Sequence, residues 1–507
     1  MSYSRTEYAK FNILYGYLRK IILIFLEFFC RVVFITTLGE DLLGVNSVFI
    51  NIIQILSLTE LGMTNVVLYS FYKPLAANDK DKLRSLIKFY KKVYQKIALA
   101  VFFIGISICP FLEKIINTKV EVNSLYVIFF LFLSNTIFSY FFIYKNAILR
   151  ADQKGYIVNK IEIPLSVVKF IVQVIVLKIF SSFIIYLLIE NMVTFITNYS
   201  ISKRVDKEYS FLDEQATELV ADDKKEITDT IKSSFIYKTA SVMLNSTDNI
   251  IISMLIGTNV VGYFANYKTI YAGIGSLYTV FFMSLTAGIG NLIETASEEH
   301  RLKIFNILLL ISSWLGIVFS SCFFSLAKEF VILWIGSGYV LNNSVTLCIA
   351  ITIFLSCALH PIFIYREAMG LYKKVQYMML IAAIVNIILS IILGHYLGLF
   401  GILFGTILSM MTTYIWYEPV VLYDTCFGVT VREYFFKRIK DLAIYIIVLV
   451  SIFMFGNHIS GETWLYWILK SLILFILSNA FCYIIYKNTE EFTVISKKIE
   501  EYVIKNR

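Results

Sequence analysis

Charged side chains lie inside stretches that are otherwise apolar enough to cross a membrane. Residues 21–38, IILIFLEFFCRVVFITTL, contain only two charges, Glu27 and Arg31. Together with Lys20 they are spaced i, i+7 and i+11, which places all three on one face of a helix. A charge at the bilayer centre costs at least about 2.5–3.5 kcal/mol, so these groups are expected to face a wet interior. A guanidinium there could bind a phosphate through two hydrogen bonds, and a carboxylate could bind H⁺ or Na⁺.

Polar residues recur at helical spacing in further apolar stretches. Glu162, Ser166, Lys169 and Gln173 follow one another at i, i+4, i+7 and i+11, and a lipid-facing stripe of this kind would be hard to tolerate. We therefore predict a polar cavity. Its candidate cations, which could hold an anionic substrate, are Lys20, Arg31, Lys169 and Lys268. Its candidate acids, which could bind a coupling ion, are Glu27, Glu60, Glu190 and Asp248. Its candidate neutral polar residues are Asn46, Gln173, Asn245 and Asn249.

Some of these charged residues could have a structural role and not bind a ligand. Glu27 and Arg31, at i and i+4, could neutralise each other and serve only packing. Lys268 and Lys470 lie toward the outer end of a span, so their ammonium groups could extend to the interface. The seven cysteines and four histidines are scattered, with no C-x-x-C or H-E-x-x-H, so we predict neither a metal site nor a disulfide framework. A nucleotide-binding P-loop is also absent. We expect no cofactor beyond coupling to Na⁺ or H⁺.

The elements that must carry these residues are membrane helices. The chain has 507 residues, of which 58% are hydrophobic and 16% charged, and its mean hydropathy is +0.74. Apolar stretches long enough for the roughly 30 Å hydrocarbon core recur from end to end, and the alternating pattern of a membrane β-barrel is absent. This composition excludes a soluble protein. We predict an all-α polytopic fold with fourteen spans, at about 14–38, 42–71, 93–110, 122–144, 161–178, 182–201, 237–257, 261–293, 304–326, 340–364, 376–396, 398–423, 441–458 and 463–486.

The distribution of Lys and Arg between the connecting segments predicts the orientation. One set of connections, which includes both termini, carries 34 of these residues, and the opposite set carries four. Because cytoplasmic connections are enriched in positive charge, we expect both termini to be cytoplasmic. The net charge of +9 follows from this asymmetry and from contact with anionic lipid, and it does not indicate a nucleic-acid partner.

Two pairs of short motifs indicate an internal duplication. FIYKNA at 142–147 matches FIYREA at 363–368, and LGEDLLGV at 38–45 matches IGTNVVGY at 256–263, with offsets of 221 and 218. Six spans separate the copies, which predicts two parallel repeats. We therefore divide the chain into two six-helix lobes, at 1–201 and 237–424, with a polar cytoplasmic linker between them at 202–236. Two additional spans and a basic cytoplasmic tail follow at 425–507. Transporters with such repeats bind substrate near the midplane between the halves.

Four segments carry a resemblance to a known family. They are LTELGMTNVVLYSFYKPLAANDKDKL (58–83), NSTDNIIISMLIGTNVVGYFANYKTI (245–270), ILWIGSGYV (332–340) and YREAMGLYKK (365–374). With them the chain resembles, over nearly its whole length, the bacterial polysaccharide flippases of the multidrug/oligosaccharidyl-lipid/polysaccharide (MOP) exporter superfamily. The motifs are moderately specific for the family and poorly specific for substrate.

The resemblance implies a fold, a substrate class and site residues. The fold is two six-helix lobes in a V with two extra helices in the plasma membrane. The activity is alternating access that moves undecaprenyl-pyrophosphate-linked repeat units to the outer leaflet for capsule or other surface polysaccharide synthesis, with a polymerase and glycosyltransferases as partners. Cavity cations on the first helix carry over by position to Lys20 and Arg31, and Asp248 in STDNIIIS matches a recurrent acidic position.

Three alternatives differ in substrate or in class. A drug/cation antiporter of the same fold would favour acids and aromatics without Arg31 and Lys169. A peptidoglycan-precursor flippase would share the fourteen spans and a cationic cavity. A membrane enzyme such as a polymerase should show a large outer loop or a D-x-D-type cluster, and the longest outer connections, 111–121 and 327–339, are short. We therefore expect a secondary-type transporter and not an enzyme.

Overall fold

The structure, a computed structural model, describes residues 5–57, 63–214, 217–459 and 461–505. Within these ranges the regular elements are helices, with no strand. A backbone surrounded by lipid must satisfy its hydrogen bonds internally, which a helix does within one segment. The chain forms two compact units, Met1–Gly262 and Tyr263–Arg507. These units follow helix packing, whereas the division expected from the sequence follows the repeats, so the lobe boundaries stay a prediction.

The first unit contains nine helices in its described residues and the start of a tenth. They are α1 (Arg5–Leu56), α2 (Met63–Ala76), α3 (Lys80–Ile108), α4 (Leu112–Ile115), α5 (Val122–Tyr140), α6 (Ile143–Ala151), α7 (Gly155–Phe180), α8 (Phe183–Glu208), α9 (Ala221–Leu255) and α10 (Thr258–Thr295). Phe49 of α1 is fully buried and packs against Phe129 and Phe132 of α5, with ring centroids 5.5 and 5.6 Å away. Outward-facing aromatics such as Phe25, 73% exposed, suit contact with lipid.

The second unit continues α10 and adds seven further helices in its described residues. They are α11 (Glu298–Ile335), α12 (Asn343–Ala368), α13 (Tyr372–Thr412), α14 (Tyr414–Leu422), α15 (Arg432–Asn457), α16 (Trp464–Tyr486) and α17 (Glu490–Lys505). Small residues let α11 and α12 approach closely, as is common for membrane helices. Gly316 leaves room for Cys357, whose Cβ would lie only 3.1 Å from an added methyl group.

Eleven helices in the described ranges are long and apolar enough to cross a membrane. Leu14–Leu56, which bends at Gly39, covers the predicted span 14–38 and the first part of the span 42–71, and Tyr372–Phe427, which bends at Gly398, covers the two spans 376–396 and 398–423. Both glycines have positive φ, of 82° and 60°, which glycine adopts without steric cost. The predicted span 237–257 lies in α9, outside the eleven. The all-α polytopic prediction is confirmed, and a count of about fourteen spans is compatible with these helices.

The duplicated glycine motifs contact each other inside the first unit. Gly44 of α1 packs against the carbonyl of Thr258, and Gly262 packs against the carbonyl of Glu40. Residues 40 and 44 correspond to 258 and 262 at the offset of 218, so each copy uses the equivalent glycine against the equivalent carbonyl. Such reciprocity is the property of a contact between parts related by a two-fold axis, and it supports the proposed repeat.

The predicted linker and the predicted basic tail both contain helices whose bounds were not predicted from the sequence. The predicted linker 202–236 completes α8, turns through a 3₁₀ segment at Ser210–Asp213, and starts α9. The basic tail forms α17, which packs on the second unit through Phe492, stacked on Trp314 at 6.0 Å between ring centroids, and through Glu491, 2.8 Å from Lys437.

Candidate functional site

A seam of charged and amide side chains runs between α7 and α8, inside the membrane-spanning part of the first unit. The Lys169 ammonium lies 2.9 Å from the Glu190 carboxylate, and their side chains are only 18% and 28% exposed. The fully buried Gln173 amide donates to the other Glu190 oxygen at 2.9 Å and to the Tyr186 carbonyl at 3.3 Å. A cation and an amide therefore hold one carboxylate between two apolar helices.

Helical periodicity and a tight hairpin produce this seam. Lys169 and Gln173 are four residues apart on α7, and Tyr186 and Glu190 are four apart on α8, so each pair shares a helix face. Ser181 ends α7 with a positive φ of 47°, and the two helices follow each other after a two-residue turn. The polar faces meet because neither could be left against lipid at low cost.

Helix α1 contributes Arg31 beside this seam. The Arg31 guanidinium is within electrostatic reach of the Tyr186 hydroxyl, of Glu27 and of Cys30. Glu27 and Lys20, on the same predicted face, are exposed in this chain. Exposed charges on a membrane helix must meet either a wet space or another molecule, because lipid does not solvate them. The structure thus brings Arg31, Lys169, Gln173 and Glu190 to one region, with Glu27 within reach of Arg31.

A second ion pair joins α1 to α7, nearer the start of α7. The Arg19 Nε lies 2.6 Å from the Glu162 carboxylate, whose side chain is 18% exposed. Glu162 belongs to the polar stripe that the sequence predicts on this span, whereas its partner Arg19 was not among the candidate site residues. Spacing along one helix identifies a polar face, but it does not indicate which residue of another helix will lie opposite.

A separate amide network joins α1 to α9. Asn249 donates to Asn51 at 2.6 Å, Asn51 donates to Gln54 at 2.9 Å, and Ser246 donates to the same Gln54 oxygen at 3.0 Å. Asn249 and Asn51 are 4% and 5% exposed. The neighbouring Asp248 is buried as well. Asn249 therefore links α9 to α1, and the i, i+3 spacing of Asn51 and Gln54 was the signal that could have identified its partners.

Four further predicted site residues lie on helices other than α7 and α8, or outside the described residues. Asn245 is exposed and donates to the carbonyl of Ser241 at 2.7 Å, one turn earlier on α9. Asn46 is half-buried on α1, and Lys268 is half-buried on the part of α10 that belongs to the second unit. Glu60 lies outside the described residues.

Buried charge in the second unit was missed by sequence reasoning. Arg366 of α12 donates to both oxygens of Glu418 on α14, at 2.8 and 2.7 Å, and Glu418 is 2% exposed. Asp441 of α15 accepts from Ser313 at 2.6 Å and from Tyr486 at 2.8 Å, which ties α11, α15 and α16 together. Arg366 lies near the end of α12, where a basic residue is expected from topology alone.

Lys470, for which extension to the interface was considered, is also paired. Its ammonium lies 2.5 Å from the Glu329 carboxylate, and the residue is only 3% exposed. Packing of α16 on α11 brings the two together. In the described ranges, no three His, Cys, Asp or Glu side chains gather as metal ligands.

The seam places two cations close to two acids. Arg31 and Lys169 are the cations and Glu27 and Glu190 the acids, so the group is close to neutral when each cation has a carboxylate in reach. A polyanion such as a diphosphate could replace Glu190 as the partner of Lys169. The released carboxylate could then bind H⁺ or Na⁺.

Comparisons with solved structures identify the fold. The chain is similar to the lipid II flippase MurJ in an inward closed conformation, with a TM-score of 0.69 and 16% identity over 94% of this chain and 99% of that one. It is also similar to an inward-facing multidrug resistance MATE transporter of the MOP superfamily, with a TM-score of 0.58 and 14% identity over 78% of this chain and 93% of that one. The MATE transporter VcmN of Vibrio cholerae matches with a TM-score of 0.56 and 14% identity, over 82% of this chain and 96% of that one.

No protein-family model and no curated protein matches the chain. The structural neighbours are flippases and transporters, and the chain has the all-helical fold that MurJ and the MATE transporters share. The expectation of an all-helical, multi-pass membrane fold is therefore confirmed.

Proposed function

We propose that this protein is a flippase that moves undecaprenyl-pyrophosphate-linked oligosaccharide repeat units from the inner to the outer leaflet of a bacterial plasma membrane, for capsule or other surface polysaccharide. The observation that carries the proposal is the seam of Lys169, Gln173 and Glu190 beside Arg31, within membrane helices. Cations at this depth are suited to a diphosphate that must leave the aqueous headgroup layer. The polyprenyl tail stays in lipid throughout.

Transport in this proposal depends on an exchange of ion-pair partners. The substrate diphosphate binds Arg31 and Lys169, and Glu190 leaves Lys169 to take up H⁺ or Na⁺. Lys169 then never lacks a counter-charge, which would be costly at this depth. Alternating access returns the empty site when Glu190 releases its ion and pairs with Lys169 again.

The likeness to MurJ favours a lipid-linked substrate over a drug. MurJ matches over 94% of this chain, against 78% and 82% for the two MATE structures, and with a higher TM-score. A peptidoglycan lipid precursor is therefore the second candidate substrate. Both candidates present a polyprenyl diphosphate to the same cations, and they differ in the attached sugars.

Reconstitution into liposomes distinguishes these substrates. Purified protein is offered a polyprenyl-pyrophosphate repeat unit, lipid II or a fluorescent organic cation, and the fraction that crosses the bilayer is followed by enzymatic access to the sugar or by quenching. We expect transport of the polyprenyl-pyrophosphate repeat unit. Transport of lipid II alone would replace the proposed substrate with the second candidate, and transport of the organic cation alone would refute a flippase function.

Variants of the seam test the exchange of partners. Lys169→Gln should abolish transport, since the diphosphate loses a cation and Glu190 is left without its partner. Glu190→Gln should keep diphosphate binding but lose dependence on an imposed Na⁺ or pH gradient. Arg204→Gln, which removes an arginine from the exposed pair with Glu208, is the control and should transport normally. Unchanged gradient dependence in Glu190→Gln would show that Glu190 is not the coupling acid.

The proposed orientation has both termini in the cytoplasm, where the glycosyltransferases that assemble the repeat unit act, and the polymerase would act on the outer side. Single cysteines at Lys224 and Gly338 should be labelled from the cytoplasm and from outside, respectively. Labelling of position 224 from outside in intact cells would overturn the orientation.

A further inference from the structure

A lysine-rich crevice lies on the first unit, away from the seam. Four lysines line it, Lys88, Lys92 and Lys96 from α3 and Lys224 from α9, together with Glu218 from the linker. The three lysines of α3 are spaced i, i+4 and i+8, so they form one basic stripe along a single face. The cavity has a volume of about 220 Å³, which is enough for a phosphate group.

The linker closes one wall of this crevice. Thr217 is hydrogen-bonded to Ser85 at 3.0 Å, and this bond holds the linker against α3. Glu218 then lies between Lys92 and Lys224, at 3.3 and 3.4 Å from their ammonium groups. The lining therefore holds four lysines and one carboxylate, and that carboxylate lies against two of the lysines.

The one acid among the lining residues, Glu218, occupies the place that an incoming anion would take. Hydrogen bonds from Lys92 and, after it, Lys224 hold the pKa of the Glu218 carboxyl below its ordinary value, so the carboxylate stays ionised. Its two ion pairs are long and exposed, with Glu218 itself 68% exposed. Exposed pairs of this kind contribute little stability, so an anion with more charge and more acceptor oxygens can replace the carboxylate.

The position of the crevice along α3 indicates the source of that anion. Lys96 directly precedes the apolar run 97–108, which starts the membrane-spanning part of the helix. Lys88 lies roughly 12 Å further from that run, at 1.5 Å per residue. The stripe therefore begins at the depth of lipid headgroups, and Phe89 and Val93 offer apolar contact within the same crevice. Basic pockets at this depth bind anionic lipid headgroups.

We propose that this crevice binds the phosphate of an anionic phospholipid from the adjacent leaflet, at a site distinct from the seam proposed for transport. The bound headgroup takes the place of Glu218 between Lys92 and Lys224. The occupied crevice attaches the linker end of α9 and the middle part of α3 to the same lipid molecule.

The test uses the full-length protein in nanodiscs and measures the affinity for a fluorescent phosphatidylglycerol against phosphatidylcholine. Lys92→Gln combined with Lys96→Gln should weaken the binding of phosphatidylglycerol about 30-fold, at about 1 kcal/mol per lysine near a charged surface. Glu218→Gln should strengthen it, because the competing carboxylate is gone. The matched control, Lys91→Gln with Lys225→Gln, removes the same charge from neighbouring positions that do not line the crevice, and it should bind like wild type.

Several results would overturn the proposal. An equal loss of affinity in the control pair would mean that only net charge matters. A loss of affinity in Glu218→Gln would mean that the acid supports the site and does not compete for it. If inorganic phosphate or pyrophosphate binds with the same dependence on Lys92 and Lys96 while phosphatidylglycerol does not, the ligand is a soluble phosphate and not a lipid. Each result is independent of transport and so of the proposed function.

Discussion

Substitution of Gly44 by alanine should separate two segments that now touch backbone to backbone. A Cβ atom at Gly44 would overlap the Thr258 carbonyl oxygen and lie 2.5 Å from the carbonyl carbon. Real Cβ atoms essentially never approach another heavy atom within 3.0 Å. Because the obstacle is backbone and cannot rotate away, α1 must move relative to the start of α10.

The cost of this movement can be bounded from the contacts around it. Overpacking a tight contact costs typically about 1–3 kcal/mol. Separation would also strain the bonds of Asp41, which accepts from Thr118 at 2.6 Å and from Thr258. We therefore expect Gly44→Ala to lower the free energy of unfolding by about 3 kcal/mol, at the upper end of that range. Gly262→Ala should act similarly, and the two together should cost less than their sum, since one separation accommodates both methyl groups.

Denaturant unfolding in detergent, followed by tryptophan fluorescence, measures this effect. Gly273→Ala is the matched control: Gly273 lies in α10, and nothing is within 4 Å of its added methyl group. The control should be stabilised by about 0.5–1 kcal/mol, because alanine favours a helix interior over glycine. The reasoning is refuted if Gly44→Ala and Gly273→Ala shift stability in the same direction, or if the double variant costs the full sum.

Two further predictions concern the second unit. Arg366→Met should lower the free energy of unfolding by about 3–5 kcal/mol, because it leaves the buried Glu418 carboxylate unpaired. The double variant Arg366→Met with Glu418→Leu should recover most of that loss in the same denaturation assay. A double variant as unstable as the single one would contradict this prediction. Burial raises the pKa of Glu491, but the hydrogen bond from Lys437, a backbone hydrogen bond and the charges of Lys437 and Lys440 together outweigh burial and leave the pKa below the ordinary 4.5. The Glu491 carboxylate therefore stabilises the fold above about pH 4.5, and this stabilisation is lost as the pH falls through the lowered folded-state pKa. Amide hydrogen exchange in α17 should accelerate over that pH range, and in Lys437→Gln it should accelerate much less.

Periodicity predicted the polar faces, and packing decided which of them meet. Glu162, Lys169 and Gln173 were identified from their spacing on one span, and Glu190 from its own span. The bond between Lys169 and Glu190 depends on how α7 and α8 rotate about their axes, which a single helix pattern does not contain. The apolar length of the spans was sufficient for the fold class, because only helices satisfy their backbone in lipid by themselves.

Contacts made near helix ends could not be predicted from the sequence for a different reason. Arg366 lies at the end of α12, where a basic residue is already explained by membrane topology, so nothing in the pattern indicated a buried partner. Glu418 follows an apolar run and gave no periodic signal. The amphipathic α17 was interpreted only as a basic tail, because its stacking of Phe492 on Trp314 joins residues far apart in the chain.

The mixed charge of the seam has a physical rationale if the protein moves a diphosphate. A site made only of cations would hold the substrate strongly and release it slowly, and transport requires a site that the substrate can also leave. Glu190 already lies 2.9 Å from Lys169. The binding free energy of the substrate at Lys169 is therefore only the difference between the ion pair with the diphosphate and the ion pair with Glu190. The carboxylate that is displaced on entry then returns on exit and assists release. In this view Glu190 lowers affinity and raises turnover, so a cation-only seam would make a binding protein and not a flippase.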